Sequence, residues 1–169
     1  MDDHPFGSDE LRTVAAAYPT GVVLLTLGTV AGGYGTTIGS FVTVSLSPPL
    51  VSLCLQLGCR TLALMPPRTP FGISVLTADH SDLARRFARR DWPRSLDGLP
   101  LWPGRRPGVH TLASAAAGFE CRVVQHVTAG DHVLVLASVG SAWRGTGTPL
   151  LHLDGQLAPA CSARSHQVA

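Results

Sequence analysis

The segment between Gly35 and Val51 constrains the fold more than any other part of the chain. A glycine turn opens it, and a strand follows in which small hydroxyl residues alternate with β-branched ones. Pro48-Pro49 then breaks the pattern before an apolar strand at Leu50–Leu55. Because neighbouring residues of a strand face opposite sides of the sheet, one side can be buried while the other presents hydroxyl groups. Such a polar but uncharged face suits a flat, heteroatom-rich ligand better than a metal ion or a nucleic-acid backbone.

The remaining patterns predict a mainly β protein with few helices. Apolar runs predict strands at Val22–Leu27, Tyr34–Leu46, Leu50–Leu55, Phe71–Leu76, Gly118–Val127, His132–Ala142 and Leu150–Leu153. Helical patterns cover Asp9–Tyr18 after a Ser8 cap, Thr61–Met65, and a segment from Asp79 or Ser81 to about Arg90. Proline, glycine and tryptophan dominate Asp91–Gly108, which predicts a long loop of the kind that often forms a lid or binding site. Together these elements are typical of a small β-barrel with helical decoration.

Length and hydropathy place these elements in one domain. A chain of 169 residues can bury a sizeable core by itself, and we assign residues 1–158 to a single domain with a disordered tail at 159–169. No apolar run approaches the roughly 18 residues that span a bilayer. The acidic N-terminus also lacks the apolar stretch of a signal peptide. We therefore expect a cytoplasmic protein.

Several chemistries are excluded by what the chain lacks. All 13 basic residues are arginine, so there is no lysine for a Schiff base, a nucleophile or a P-loop. A formal charge of +2 is too slight for a nucleic-acid footprint. The cysteines and histidines show no zinc or disulfide spacing, which predicts free thiols (54, 59, 121 and 161) and no metal site. The arginine cluster at residues 85–94 is either a solvated face or a source of one or two phosphate ligands.

A series of short motifs follows one order between Leu11 and Leu157. The motifs are Pro19–Val22, Gly35–Val51, Cys59–Thr61, Phe71–Asp79, Phe87-Ala88, Gly130-Asp131-His132 and Pro149–Leu151. In this order they resemble the flavin reductase family with the FMN-binding split barrel, the small partners of two-component monooxygenases. The resemblance implies a six-stranded antiparallel Greek-key split β-barrel with a few peripheral helices. It also implies a homodimer with the flavin near the subunit interface.

The resemblance further implies a flavin site on the hydroxyl-rich strand and the turn at residues 58–61. The cofactor-binding residues would be Thr37, Gly39, Ser40, Phe41, Ser45, Cys59, Arg60, Thr61, Asp79, His80 and Phe87. Without lysine, the phosphate donors must be amides, hydroxyls or arginine, which favours Arg60 and Thr61. Other interpretations stay open: Thr37 as an ordinary strand hydroxyl, Asp79 as a helix cap, and Phe87 as a core residue.

His132 is the candidate catalytic residue. In the resembled family the histidine of Gly-Asp-His lies near the flavin and is associated with nicotinamide binding or proton supply. The alternative is a strand-end histidine bonded to Asp131 or to a backbone carbonyl. Two departures from the family pattern stand out: Gly39 replaces a frequent Ser or Asn, and Cys59 replaces a common serine.

The function that the resemblance implies is an NAD(P)H:flavin oxidoreductase. NADH or NADPH would deliver hydride to FMN or FAD, and the reduced flavin would leave for a separate monooxygenase, in the setting of bacterial secondary metabolism. Two alternatives remain open. In the first, an enzyme of the same fold acts directly on a small organic substrate, with or without retained flavin, at a site lined by Trp92 and Trp102. In the second, the protein binds flavin without catalysis. No nucleic-acid or membrane partner is expected.

Overall fold

The computed structural model describes residues 7–89, 91 and 93–160. Some of the residues singled out above therefore lie outside the described part of the chain. They are Arg90 at the predicted end of the arginine-rich helix, Trp92 of the long loop, and the tail residues 161–169 with Cys161.

The described residues form mostly strands, as predicted. The strands are β1 (Thr20–Gly21), β2 (Val23–Leu27), β3 (Tyr34–Ile38), β4 (Val42–Leu46), β5 (Pro49–Gln56), β6 (Pro70–Val75), β7 (Leu101–Pro103), β8 (His110–Leu112), β9 (Ala117–Ala129), β10 (His132–Arg144), β11 (Leu150–Leu153) and β12 (Gln156–Pro159). The helices are α1 (Ser8–Ala16), α2 (Arg60–Ala63) and α3 (Ser81–Ala88), with a 3-10 turn at Ala78–His80 just before α3. Gly7 rather than Ser8 caps α1, and no side-chain bond completes that cap.

The main sheet is an antiparallel barrel that is split at one seam. Its strands follow the order β3-β2-β6-β9-β10-β5-β4, so β3 and β4 lie at opposite edges although they are consecutive in the chain. Three residues, 39–41, carry the chain from one edge to the other. The hydroxyl of Ser40 accepts from the Cys54 N–H at 2.9 Å and donates to the Cys54 carbonyl at 3.1 Å. These bonds hold the linker on β5 and divide the single strand predicted over Tyr34–Leu46.

The fold class is therefore confirmed, and the strand count depends on how this division is treated. The sheet has seven strands where β3 and β4 are separate, and six where they are taken as one interrupted strand. The main departures from the sequence prediction lie elsewhere. The long loop contains β7, which pairs with β8. At the C-terminal end β12 pairs with β11 as far as Pro159, and the Ala160 N–H donates to the Pro149 carbonyl at 2.8 Å.

Two hydrophobic clusters hold the domain together, and β2 contributes to both. Val23, Leu25 and Leu27 belong to the cluster inside the barrel. Leu24 belongs to the second cluster, which lies between the barrel and α3. All five residues of β2 are buried, which explains why four of them are apolar and why its sequence does not alternate; the exception is Thr26, whose hydroxyl donates to the His110 carbonyl. The second cluster fixes α3 against the outside of the barrel.

None of the helices in the described ranges is long and apolar enough to cross a membrane.

Candidate active site

A cleft of about 1000 Å³ opens beside β3 and the end of β5. Its walls are built by the turn that leads into α2, by residues 93–95 of the long loop, and by the first residue of β10. Its basic lining side chains are Arg60, Arg94 and His132. No Asp or Glu lines it among the residues that the structure describes. The cleft thus combines basic side chains with an otherwise uncharged lining, a combination that favours an anionic ligand with a flat, neutral body.

The structure brings seven of the predicted site residues to this cleft. They are Thr37, Gly39, Ser40, Cys59, Arg60, Thr61 and His132. Five others do not line it: Phe41, Ser45, Asp79, His80 and Phe87. The cofactor-binding roles of the first group stay predictions that the geometry allows, while the second group is placed elsewhere for reasons given below.

The hydroxyl groups along the cleft edge already have partners within the protein. Thr37 donates to the Ala84 carbonyl of α3 at 2.9 Å, and Thr36 accepts from the Arg94 guanidinium. Ser40 is held by Cys54, as described above. A hydroxyl that donates can still accept a hydrogen bond, so Thr37 keeps a capacity for a ligand. Thr37 is therefore a structural hydroxyl that also lines the cleft, and its role in flavin binding stays a prediction.

The turn at residues 58–61 presents one exposed cation. Cys59 is the N-cap of α2, where its sulfur accepts weakly from the Leu62 N–H at 3.5 Å. Thr61 is only 4% exposed, and its hydroxyl lies 3.2 Å from the hydroxyl of Tyr34. Arg60 is exposed and forms no ion pair within the described part of the chain. Of these residues, Arg60 is the one whose side chain is most available to a phosphate.

His132 stands at the cleft with one ring nitrogen fixed. It opens β10 and pairs with Gln56 of β5 across the sheet. Its Nδ1 lies 2.8 Å from the Asp131 carboxylate, and its side chain is 45% exposed. The hydrogen bond from His132, followed by the charge of its ring, lowers the pKa of Asp131 below its usual range. Because Nδ1 donates its hydrogen bond to the carboxylate, Nε2 is the nitrogen that remains available to a ligand. The two interpretations of this histidine are thus compatible.

His80 caps the segment that leads into α3 and does not reach the cleft. Its Nδ1 accepts from the Thr77 N–H at 3.1 Å, and its Nε2 donates to the Ser114 hydroxyl at 2.9 Å. Burial lowers the pKa of His80, and the charge of Asp79 partly opposes this shift. Asp79 itself is exposed. The predicted cap therefore exists, but Thr77 and His80 form it in place of Asp79.

The other three residues are placed by packing. Phe87 is fully buried in the second cluster, which agrees with its interpretation as a core residue. Phe41 packs on Phe119 with ring centroids 5.3 Å apart. Ser45 lies on β4 beside a bulge in its pairing with β5. The motif therefore indicates the correct segments of the fold, but packing keeps these three residues away from the cleft lining.

The sequence analysis missed Tyr34 and Arg94 as cleft residues. Arg94 donates to Thr36, to the Phe87 carbonyl at 2.9 Å and to the Arg89 carbonyl at 3.0 Å. Its own carbonyl accepts from the Gly35 N–H at 2.8 Å. Arg94 and Thr36 are 58 positions apart in the chain, so no local pattern shows the contact. The only signal was the density of arginine in residues 85–94.

Comparison with known proteins gives consistent matches over nearly the whole chain. The model of the flavin reductase like domain matches residues 15–160. The chain is 37% identical over 155 residues to the actinorhodin polyketide dimerase of Streptomyces coelicolor, covering 90% of this chain and 86% of the relative. It is 31% identical over 152 residues to the reductase component of 4-nitrophenol 4-monooxygenase/4-nitrocatechol 2-monooxygenase from Rhodococcus opacus, covering 90% and 80%.

A solved structure extends the match to three dimensions. The NADH:FAD oxidoreductase SgcE6 of Streptomyces globisporus C-1027, in complex with NAD and FAD fragments, superposes with a TM-score of 0.82. The two chains are 30% identical, and the match covers 97% of this chain and 98% of that one. Further relatives are named as NADH-dependent reductases of FMN or of FAD. The chain belongs to the flavin reductase family.

Proposed function

We propose that this protein is an NAD(P)H:flavin oxidoreductase that supplies reduced FMN or FAD to a partner monooxygenase. The observation that carries the proposal is the cleft: a wide site lined by two arginines and, among the described residues, by no carboxylate. A family whose relatives include NADH-dependent FMN and FAD reductases supports the same conclusion. The comparisons favour neither of the two alternatives, direct action on an organic substrate or flavin binding without catalysis.

The residues at the cleft fit a flavin nucleotide by the chemistry of their donors. Arg60 offers a guanidinium that is free of ion pairs to described residues, which suits a phosphate. The strand from Thr36 to Ser40 provides an uncharged edge of backbone groups and hydroxyls for the heteroatoms of a flat ring. This distribution supports a binding mode in which the charged end of a flavin nucleotide lies at the turn before α2 and its neutral ring lies along β3.

The chemistry at the site divides between cofactor and chain. A bound flavin supplies an acceptor for the hydride of the nicotinamide. The chain holds the two rings in position, which removes much of the entropic barrier to their encounter. His132 holds a proton at Nδ1 for Asp131, and its Nε2 would bind the nicotinamide or, as an imidazolium, would donate a proton to the reduced flavin. The open cleft permits release of the reduced product.

The experiment that tests this proposal measures oxidation of NADH and of NADPH by the purified protein. Each nicotinamide is tested with FMN, with FAD and without added flavin, after the visible spectrum of the protein has been recorded. We expect oxidation that depends on added flavin. Oxidation without added flavin, by a protein that retains a yellow cofactor, would support direct action on another substrate. Bound flavin that neither nicotinamide reduces would support a binding protein.

We also propose that the chain is a homodimer and acts in the cytoplasm, where reduced nicotinamides are available. The support for a dimer is β4, the sheet edge on which Val42, Val44 and Leu46 are 57%, 52% and 86% exposed. An exposed apolar edge strand is a surface that proteins normally cover. Val44→Lys should lower the mass measured by sedimentation, while Val124→Lys, at a comparably exposed position on β9, should not. A monomeric wild type would contradict the proposal.

A further inference from the structure

Tyr34 joins the two residues that were predicted to bind phosphate. Its hydroxyl lies 3.2 Å from the Thr61 hydroxyl, and its ring lies under the Arg60 guanidinium, 5.4 Å from centroid to Cζ. The ring is half-buried and packs against the cluster inside the barrel. Tyr34 therefore contacts the side chains of both Arg60 and Thr61 from a position that is fixed by core packing.

Arg94 contacts the same ring, and its position is fixed. Its Cζ lies 5.9 Å from the Tyr34 centroid, and its guanidinium donates to Thr36 and to two backbone carbonyls near the end of α3. Ser95 forms a bridge with Tyr34 through the backbone. Tyr34 is thus held by a rigid neighbour on the loop side and contacts the exposed Arg60 on the turn side.

The charges around the ring are not balanced within the described residues. Arg60 and Arg94 both lie near one aromatic ring, and neither forms an ion pair with any described carboxylate. Two like charges near one ring disfavour each other, and an anionic ligand that contacts either guanidinium offsets this cost. This arrangement gains most from a ligand that carries a phosphate.

We infer that Tyr34 is a positioning residue for phosphate recognition: it holds Arg60 and Thr61 in place, so the cleft selects phosphorylated flavins over riboflavin. The inference rests on the proposed flavin-binding function and adds a residue that the motif does not include. Tyr34 acts through its neighbours, since preorganised side chains lose less freedom when the ligand binds. Its effect should therefore appear only with ligands that have a phosphate.

The test compares FMN with riboflavin, which has the same ring but no phosphate. Dissociation constants are measured by quenching of flavin fluorescence for the wild type and for Tyr34→Ala. We expect the variant to raise the dissociation constant for FMN about tenfold, as loss of a cation–π contact and one hydrogen bond implies. The constant for riboflavin should not change. Tyr18→Ala, at the other tyrosine of the chain, is the matched control because Tyr18 is 74% exposed and outside the cleft.

A second variant protects the test against misfolding. Tyr34→Phe keeps the ring beneath Arg60 and removes only the bond to Thr61, so it should fold normally and raise the FMN constant by about threefold. Because the Thr61 hydroxyl is only 4% exposed and loses this partner, the melting temperature should fall by about 2 to 4 °C, and riboflavin binding should not change. An equal weakening of FMN and riboflavin in Tyr34→Ala would show a merely structural role and overturn the inference.

Failure of the inference and failure of the proposed function give different results. A wild type that binds riboflavin as tightly as FMN and still oxidises NADH with either would overturn phosphate selection and leave the reductase intact. A wild type that binds no flavin and oxidises no nicotinamide would overturn both. Stronger binding of FMN than of riboflavin by the wild type, reduced specifically in Tyr34→Ala, would support the inference.

Discussion

Replacement of His80 should lower stability and leave flavin binding unchanged. His80 follows Thr77 by three positions, the spacing of a capping box, and it supplies the side chain that returns to the Thr77 N–H. Its other ring nitrogen contacts Ser114. The residue therefore ties the start of α3 to the segment before β9, and it lies away from the cleft.

The cost of His80→Ala follows from the groups that the substitution leaves without partners. Thr77 is only 3% exposed, so its N–H would lose its acceptor in a buried position. Such a loss costs about 1 to 3 kcal/mol, and the bond to Ser114 adds about 1 kcal/mol where it is not replaced by water. We expect a total of about 2 to 4 kcal/mol, which lowers the melting temperature of a chain this size by about 4 to 16 °C. His80→Gln should retain most of this stability, because a glutamine can complete the same capping box.

The pH dependence of stability distinguishes the wild type from both variants, because neither alanine nor glutamine titrates at position 80. Burial lowers the pKa of His80 below its ordinary value of 6.5, so the folded protein holds this ring neutral where the unfolded chain protonates it. The contribution of His80 is thus fully present above pH 6.5 and is lost as the pH falls through the folded pKa. His80→Gln has no such loss, so its stability relative to the wild type should rise in acid.

Urea unfolding at fixed protein concentration between pH 5 and pH 8 measures these effects, with FMN affinity determined on the same samples. Fixed concentration matters because a dimer would otherwise change the apparent stability. The reasoning would be refuted by a His80→Ala variant that unfolds like the wild type but binds FMN more weakly. That result would place His80 in the flavin site, as the motif alone suggests.

Two other residues give direct tests. His132→Ala should slow nicotinamide-dependent reduction of flavin or raise the nicotinamide KM. The melting temperature should not change, because the side chain is exposed at the cleft. Unchanged kinetics would remove the catalytic role. Cys121 is buried, and burial raises the pKa of its thiol to about 12, so thiol reagents at neutral pH should label Cys54 and Cys59 and reach Cys121 only on unfolding. Mass spectrometry of the labelled protein would detect the opposite pattern.

The strands could be predicted from the sequence because their patterns are local. The all-buried run of β2 and the boundaries of β11 follow from residues that are close together in the chain. The β7–β8 pair could not be predicted in the same way, because proline and glycine dominate the segment around it. The pair is held close to β6 by Gly72. A Cβ at position 72 would overlap the carbonyl oxygen of His110 in β8, so a glycine there lets the two strands approach.

The site was predictable in part for a related reason. A motif specifies which strand or turn forms the site, and the turn at Cys59–Thr61 indeed lies at the cleft. It does not specify the direction of each side chain, which depends on packing with distant segments. Phe87 turns into a cluster with Leu24 and Leu96, and His80 turns toward Ser114. Arg94 enters the site through contacts that no short pattern contains.

The hydrogen bonds that the cleft hydroxyls form within the protein determine which substitutions the site can tolerate. Thr36, Thr37, Ser40 and Thr61 each use the side chain to secure another part of the fold. In the proposed binding mode, main-chain groups of this strand contact the ring beside these hydroxyls, and every residue type except proline carries both the N–H and the carbonyl. A glycine at position 39 or a cysteine at position 59 leaves those groups in place. Binding of the neutral part of a ligand should therefore tolerate many substitutions along this strand. Loss of one of the four bonded hydroxyls, in contrast, would shift the segment of backbone that lines the cleft.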